Sequence, residues 1–315
     1  MKIAVFGTGN IAAAHLQPLQ DVPDIEVVGL VNPTRAKAEA AAQKWGGQGY
    51  TDVHELLAHT EVDAAFVLVP PHMHGDIEMT LIAAGIPFMA EKPLTADRKT
   101  GEMIAEAVDR AGLIAAVGYQ FRANDTNDAI LEYLGTNPVR MVSGTWYGTT
   151  PGAAWWRRQA QSGGQFVEQA THLFDLARYL TGLEAVVLGA SGATHPRDEY
   201  PDLDVDVVSA ALVRFGDQVP GLFSATCLLN KGGMAELQLI CDGMTIHAAR
   251  TFTIFDDGRN PQTIPVQNNP YGTQNLAFIQ AVRSGDDSPL YCTYDDALKT
   301  HQLVHTALEQ MHPGL

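Results

Sequence analysis

The sequence predicts an α/β chain of two domains. A doubly wound parallel sheet is expected over residues 1–122, and an α+β domain with a largely antiparallel, open sheet over residues 123–315. Three observations carry this. Short apolar runs alternate with helix-type patterns from the first residue to about 120, as parallel strands joined by crossover helices require. The first run stops at Gly7-Thr8-Gly9 and a helical pattern starts at once. After Phe121 the texture becomes β-type, with glycines or short polar turns between several runs and few helices. At 315 residues the chain is long enough to bury two cores.

Taken in order, Lys2–Phe6 is an apolar run of strand length, and Ile11, Ala12, Ala13, Leu16 and Leu19 set the helix after it. Ile25–Val31 reads as the second strand and the alanine-rich Ala36–Trp45 as its helix. Ala64–Val69 is a third apolar run ending at Pro70-Pro71. A helix through Ile77, Leu81, Ile82 and Ala83 follows it and breaks at Gly85. Ile86–Ala90 and Leu113–Val117 are further strands around the helix Met103–Ala111. In the second domain, strands are expected at Val139–Tyr147, Ala185–Ala190, Val205–Phe215, Leu222–Leu229 and Ala235–Ile240. Helices are expected at Phe166–Leu180, Asn275–Arg283 and Asp295–Gln310, with the C-terminal ones free to pack back on the first domain.

Charge narrows the function. The chain has 36 acidic and 20 basic residues, a net charge of -16. That excludes nucleic acid or an anionic membrane as the main partner, because counterion release needs basic patches. No run approaches the apolar length of a membrane span, and the chain enters its first strand without a signal peptide. Cys227, Cys241 and Cys292 are odd in number, far apart and without metal-ligand spacing. They read as reduced thiols of a cytoplasmic protein that handles a small molecule.

The glycine turn is the first candidate site. A buried strand, a glycine-rich turn and a helix N-terminus together cradle an anion. Gly7 permits the tight turn and Gly9 lets the backbone approach a pyrophosphate, with Thr8, Asn10 and Ile11 around it; Ala12 fills the third position of the G-x-G-x-x-G/A pattern. An ordinary strand–turn–helix would show the same glycines. At the end of the second strand, where a carboxylate commonly holds the adenosine ribose, the residue is Asn32. With Thr34, Arg35 and Lys37 next in line, a 2′-phosphate is admitted, so the residues lean to NADP over NAD. The alternative is that Arg35 and Lys37 are solvated residues opening a helix.

Glu91-Lys92-Pro93 follows the strand Ile86–Ala90. Lys92, one of only seven lysines, stands beside the expected cofactor cleft. An ammonium there stabilises the alkoxide that forms in hydride transfer. Glu168 and His172 fall at i, i+4 if Gln165 onward is helical, and a histidine held by a carboxylate suits general acid–base work. A surface ion pair has the same spacing. Pro70 is read as lining the cofactor site, and His74 as a helix-start or hydrogen-bonding residue within it. A His72/His74 metal pair lacks further ligands, so no metal is expected. Tyr119, Gln120 and Arg122 lie where the chain passes between domains, placed for substrate, although Arg122 also suits a salt bridge. Trp155, Trp156 and Arg157 offer aromatic faces and guanidinium donors for a sugar ring or an anion, although a tryptophan pair also serves packing.

The order GTGNIA, VPPHMH, AEKPL, VGYQFR and SGGQFVEQATHLFDLARYLTG resembles the Gfo/Idh/MocA family of NAD(P)-dependent oxidoreductases. The later YGTQNLAFIQAV and CTYDDALKTHQLV extend the resemblance over nearly the whole chain. It implies an N-terminal Rossmann domain and a C-terminal domain whose open sheet makes subunit contacts in a homodimer or homotetramer. It also implies that Lys92 and His172 face the nicotinamide. The family usually carries an aspartate four residues before the histidine, where this chain has Glu168. Asp175 matches another acidic position common in the family. His74 matches the histidine after the family's Pro-Asn-type turn, with Pro71 in place of the asparagine.

The expected activity is hydride transfer between NADP or NAD and a sugar, polyol or related hydroxy/keto compound. His172 would remove the hydroxyl proton and Lys92 would stabilise the alkoxide, with Glu168 and Asp175 in support. The alternatives are a redox-neutral, NAD-dependent glycoside hydrolase or epimerase-like enzyme, and a non-catalytic NAD(P)-binding sensor.

Overall fold

In the computed structural model, which describes residues 1–313, the chain begins as β1 (Lys2–Phe6), α1 (Asn10–Leu19), β2 (Glu26–Val31), α2 (Arg35–Trp45), β3 (Gln48–Tyr50) and α3 (Val53–His59). It continues as β4 (Ala64–Val67), α4 (Asp76–Ala83), β5 (Phe88–Ala90), α5 (Arg98–Ala111) and β6 (Ala115–Val117). Next come α6 (Asn127–Leu134), β7 (Met141–Tyr147), α7 (Gln159–Ser162), α8 (Thr171–Thr181), β8 (Ala185–Ala193), β9 (Val208–Phe215) and β10 (Val219–Thr226). The last elements are β11 (Met234–Cys241), β12 (Met244–Ala249), β13 (Phe252–Asp256), β14 (Gln262–Pro265), α9 (Pro270–Ser284) and α10 (Tyr294–Met311).

The chain divides into two units. The first holds Met1–Thr95, Lys99–Ala123 and Asn269–Leu298; the second holds Ala96–Arg98, Asn124–Asn268 and the residues from 299 on. Among the described residues, no helix is long and apolar enough to cross a membrane.

In the first unit six strands form an all-parallel sheet in the order β3-β2-β1-β4-β5-β6. The chain winds from β1 out to β3, then restarts at β4 on the other side of β1. This is the doubly wound Rossmann arrangement, and its switch point lies between β1 and β4. Residues 3–6 of β1 and all of β4 are fully buried, which is why both read as unbroken apolar runs rather than alternating ones. Successive residues still face opposite sides. Ala4 and Phe6 join Phe88, Ile104 and Tyr294 in one core, while Ile3 and Val5 join Leu16, Phe66 and Phe278 in the other. Each such large side chain stabilises the fold by roughly 1.5–3 kcal/mol. α9 returns to this unit and packs on α1 and β4: the rings of Phe66 and Phe278 meet edge-on at 5.4 Å.

In the second unit eight strands run β14-β13-β12-β11-β7-β10-β9-β8. The pairs are antiparallel except β7 with β10. α8 covers one face, where Phe174 stacks on Phe223 of β10 at 3.9 Å between ring centroids. On the other face Leu212 of β9 and Leu222 of β10 are directly paired and 43% and 48% exposed, with Leu188 of β8 50% exposed nearby.

Several elements differ from the sequence expectation. β3 and α3 carry no expectation; β3 has three residues between glycine-rich neighbours, too few for a periodic signal. The strand expected at Val205–Phe215 starts at Val208, and the one at Leu222–Leu229 is Val219–Thr226. β12 to β14 carry no expectation at all. They are short, with polar turns at Asp242-Gly243 before β12 and at Asp257-Gly258 between β13 and β14. The helix expected over Phe166–Leu180 is a π-helical turn, Phe166–Ala170, running into α8.

Candidate active site

The turn after β1 combines two different glycines. Gly7 has φ +95°, and a Cβ there would lie 2.3 Å from the Leu68 carbonyl oxygen, so β1 and the segment after β4 approach too closely for any side chain. Its N–H donates to Val31 O at 2.9 Å. Gly9 is the N-cap of α1 at φ -74°, with no side-chain cap and no acidic residue in the first helical turn. A Cβ at Gly9 would meet nothing within 4 Å. The helix start therefore opens on unfilled space at the switch point of the sheet, where backbone N–H groups and the helix dipole favour an anion. These residues fit the pyrophosphate of a dinucleotide.

Beside the turn, Asn32 Nδ2 donates to Thr8 Oγ1 at 2.8 Å, and Asn32 Oδ1 accepts from Thr34 N at 2.9 Å. Both ends of this amide are thus used to shape the loop. Arg35 is not a loose cation. Its Nη2 lies 2.5 Å from Glu55 Oε1, and Nη1 donates to Gly49 O at 3.0 Å. The Arg35 bond, followed by Thr51, holds the Glu55 carboxyl at about 2, below its ordinary 4.5.

The carboxyl ends of β4, β5 and β6 carry the next group. Pro70 caps a 3-10 turn, Pro71–Met73. His74 and Glu78 then form a buried pair, Nδ1 to Oε1 2.5 Å, while Glu78 Oε2 accepts from Gly75 N at 2.7 Å. His74 therefore opens α4, and its Nε2 is buried with no hydrogen-bond partner among the described residues. Lys92 follows β5, is half-buried, and precedes Pro93 across a cis peptide. Glu91 turns inward: its Oε1 lies 2.8 Å from His15 Nε2. Tyr119, Gln120 and Arg122 are all buried after β6. Arg122 pairs with Asp296 at 2.5 Å and donates to the Tyr291 carbonyl at 3.1 Å, an ion pair within the first unit. Gln120 Oε1 is buried without a hydrogen-bond partner among the described residues.

In the second unit Gly163 and Gly164, at φ +75° and +82°, turn the chain into the π segment. π turns of this kind recur at functional sites. Glu168 lies in that turn rather than in a regular α-helix, and Trp156 Nε1 donates to its Oε2 at 2.7 Å. His172, in the first turn of α8, is 4% exposed and stacks on Trp146 at 5.7 Å with an interplanar angle of 14°. Asp175 Oδ1 accepts from Thr300 Oγ1 at 3.0 Å, and Thr300 accepts from Arg178 Nη1 at 2.9 Å. Trp156 is 1% exposed in a small core with Val205, Val207 and Cys227, against which Trp155 packs in part. Arg157 forks onto Asp202 (Nε to Oδ1 3.1 Å, Nη2 to Oδ2 3.0 Å) and lies over the Tyr200 ring.

Sequence reasoning passed over His15, Asn275, Glu55, Trp146 and Thr300. Only His15 left a signal, a titratable side chain on the apolar face set by Leu16 and Leu19. Each of the others meets its partner only through a tertiary contact within its own unit. Among the described residues no group of three or more His, Cys, Asp or Glu is arranged to hold a metal ion.

Comparison with known proteins identifies the family and the fold. Residues 1–119 match the model of the oxidoreductase family with an NAD-binding Rossmann fold, and residues 136–247 match the GFO/IDH/MocA C-terminal domain. Myo-inositol dehydrogenase Hyg17 of Streptomyces leeuwenhoekii is 33% identical over 234 residues, 71% of this chain and 69% of that protein. The scyllo-inositol 2-dehydrogenase (NAD(+)) of Bacillus subtilis (strain 168) is 26% identical over 210 residues, 65% of this chain and 61% of its own length. The crystal structure of GenD2 from gentamicin A biosynthesis, in complex with NAD, superposes with a TM-score of 0.85 at 21% identity, covering 100% of this chain and 95% of that one. With a dinucleotide cradle at the switch point of the parallel sheet in one unit and an open, mostly antiparallel sheet in the other, the chain belongs to the GFO/IDH/MocA family of NAD(P)-dependent oxidoreductases.

Proposed function

We propose that this enzyme oxidises a secondary hydroxyl of a cyclic polyol or sugar, or reduces the matching ketone. The observation that carries the reading is the position of Lys92. It leaves the carboxyl end of β5, two strands from the Gly7 turn in the order β1-β4-β5 of one sheet. An ammonium at that edge lies where ligands of such sheets collect. The inositol dehydrogenases among the relatives support a polyol as substrate class.

The bound nicotinamide supplies the hydride acceptor or donor. His172 takes the hydroxyl proton, its ring held flat by Trp146. Lys92 donates to the developing alkoxide. Glu168, bound by the Trp156 indole, and Asp175, bound by Thr300, act as positioning groups for the helix that carries His172. Gln120, whose buried carbonyl oxygen has no partner among the described residues, and Trp155 are the substrate-facing candidates; Arg157 serves by holding the loop at Asp202.

Both cofactors are accepted, with NADP modestly favoured. The absence of a carboxylate at Asn32 admits a 2′-phosphate, and the Glu55 partner of Arg35 keeps the preference small. The half-exposed leucines on the outer face of the second sheet support a homodimer or homotetramer. Three cysteine thiols and an acidic surface suit the cytoplasm.

The test is a polyol and sugar screen, beginning with myo-inositol, followed at the nicotinamide absorbance. Net reduction of NADP or NAD supports the reading. Product formed with no net change at the nicotinamide would establish redox-neutral chemistry instead, and cofactor binding with no single-turnover reaction would leave a sensor.

A further inference from the structure

Beneath Lys92 lies a buried polar chain of three side chains from distant parts of the sequence. His15, on the inward face of α1, is 0% exposed; Asn275, on α9, is 0% exposed; Glu91 is 5% exposed. Asn275 Nδ2 donates to the His15 carbonyl oxygen at 2.9 Å. Its Oδ1 therefore faces the His15 ring and accepts from Nδ1, 2.8 Å away. With Nδ1 fixed as a donor, one proton remains on the line from His15 Nε2 to Glu91 Oε1, 2.8 Å long. Whichever atom carries it, the His15–Glu91 pair has no net charge. The rings of Phe66 and Tyr271 close around His15 at 5.9 Å and 5.3 Å.

Glu91 is held through its main chain and by a close neighbour as well. Its N–H donates to Val67 O at the end of β4, at 2.8 Å. Gly118, after β6, donates its N–H to Ala90 O at 2.8 Å, and a Cβ at Gly118 would fall 2.5 Å from Glu91 Oε1. The glycine at 118 is thus the space the carboxylate occupies. Main chain and side chain of residue 91 are both pinned, and the next residue is Lys92.

We propose that His15 is a positioning residue for Lys92: held by Asn275, it neutralises and anchors Glu91 and so fixes the main chain from which the Lys92 ammonium projects. Two consequences follow from the chemistry. A Glu91 carboxylate without its partner would attract the neighbouring ammonium and draw it away from a substrate oxygen. A Glu91 released from its anchor would loosen the Lys92 backbone, and a displacement of about 1 Å at a reacting group costs on the order of a hundred-fold in rate. The chain also ties the helix whose N-terminus receives the dinucleotide to the lysine beside it.

This inference rests on Lys92 as the group that meets the substrate oxygen, and the experiment separates the two. Protein labelled with [6-13C]lysine gives seven side-chain resonances, one per lysine, and Lys92→Arg identifies that of Lys92. His15→Leu and Gly118→Ala are each expected to move the Lys92 resonance alone, and His15→Gln, which keeps a donor for Glu91, to restore it. NADH affinity in all three stays within about two-fold, and turnover in His15→Leu and Gly118→Ala falls by about ten- to a hundred-fold. An unmoved Lys92 resonance in folded Gly118→Ala, or in folded His15→Leu, overturns the positioning role. Gly118→Ala carries the test if His15→Leu does not fold, since it displaces the carboxylate and leaves the His15–Asn275 bonds in place. Full turnover in Lys92→Met would instead remove the catalytic role of Lys92 and leave the resonance result standing on its own.

Discussion

Trp156 donates its indole N–H to Glu168, Nε1 to Oε2 2.7 Å, from a side chain that is 1% exposed. The tryptophan pair offered by the sequence as a substrate wall therefore includes one member that anchors the π turn leading into the His172 helix. Trp156→Phe keeps most of the apolar packing and removes the donor. A hydrogen bond to a charged group is worth about 1.5–3 kcal/mol, and the variant should lose stability in that range by denaturant unfolding. Its kcat should fall while the KM for cofactor holds, because the cradle lies elsewhere in the chain.

The two glycines of the turn should behave differently. Gly7→Ala meets a positive φ, which costs roughly 1–2 kcal/mol, and overlaps the Leu68 carbonyl oxygen; a lowered Tm accompanies loss of cofactor binding. Gly9→Ala meets open space at an ordinary φ of -74°. Its Tm should be unchanged while NADH affinity drops about ten-fold or more by fluorescence titration. Unchanged affinity in Gly9→Ala would mean that no pyrophosphate approaches this backbone.

Glu55 restrains Arg35, and Glu55→Gln should release it. The ratio of NADPH to NADH affinity should rise by about two- to five-fold, the scale of one exposed ion pair. The folded value of Glu55, about 2, lies below its ordinary 4.5. The pair's contribution is therefore fully present above 4.5 and is lost as pH falls through 2. In the wild-type enzyme the Arg35–Glu55 pair should accordingly add no pH dependence of its own to the NADPH to NADH ratio across the neutral range.

The open face of the second sheet gives a separate prediction. Leu212 and Leu222 are direct cross-strand partners with nearly half of each side chain exposed. Leu212→Asp combined with Leu222→Asp should shift the protein to a smaller species in sedimentation velocity. Surface changes of this kind alter stability by about 0.5 kcal/mol or less where nothing covers them, so a large stability loss together with dissociation would mark a buried interface.

The parts of the fold legible in the sequence were those with one dominant local cause. β1 and β4 are buried on both faces and read as apolar runs; the Gly7 turn reads from its spacing. β12 to β14 were missed because short, mixed strands gain their pairing only from the strands beside them. The same holds within the site. Lys92 and His172 stand in recognisable local contexts, whereas the Arg35–Glu55 pair joins residues 20 apart and His15–Glu91 joins residues 76 apart. The i, i+4 relation of Glu168 and His172 assumed a regular helix; the paired glycines before it open a wider turn that no periodicity announces.

The most direct test of hydride transfer at Lys92 and His172 compares Lys92→Met and His172→Ala with the wild type. NADH affinity is measured by titration, and polyol-dependent nicotinamide reduction by single turnover across the neutral pH range. NADH affinity is expected to stay within about two-fold of wild type in both variants. The reduction rate is expected to fall by about a hundred-fold or more in each, and the rise in rate with pH through neutrality to be lost in His172→Ala. A reduction rate close to wild type in Lys92→Met, or an unaltered pH profile in His172→Ala, would contradict these roles.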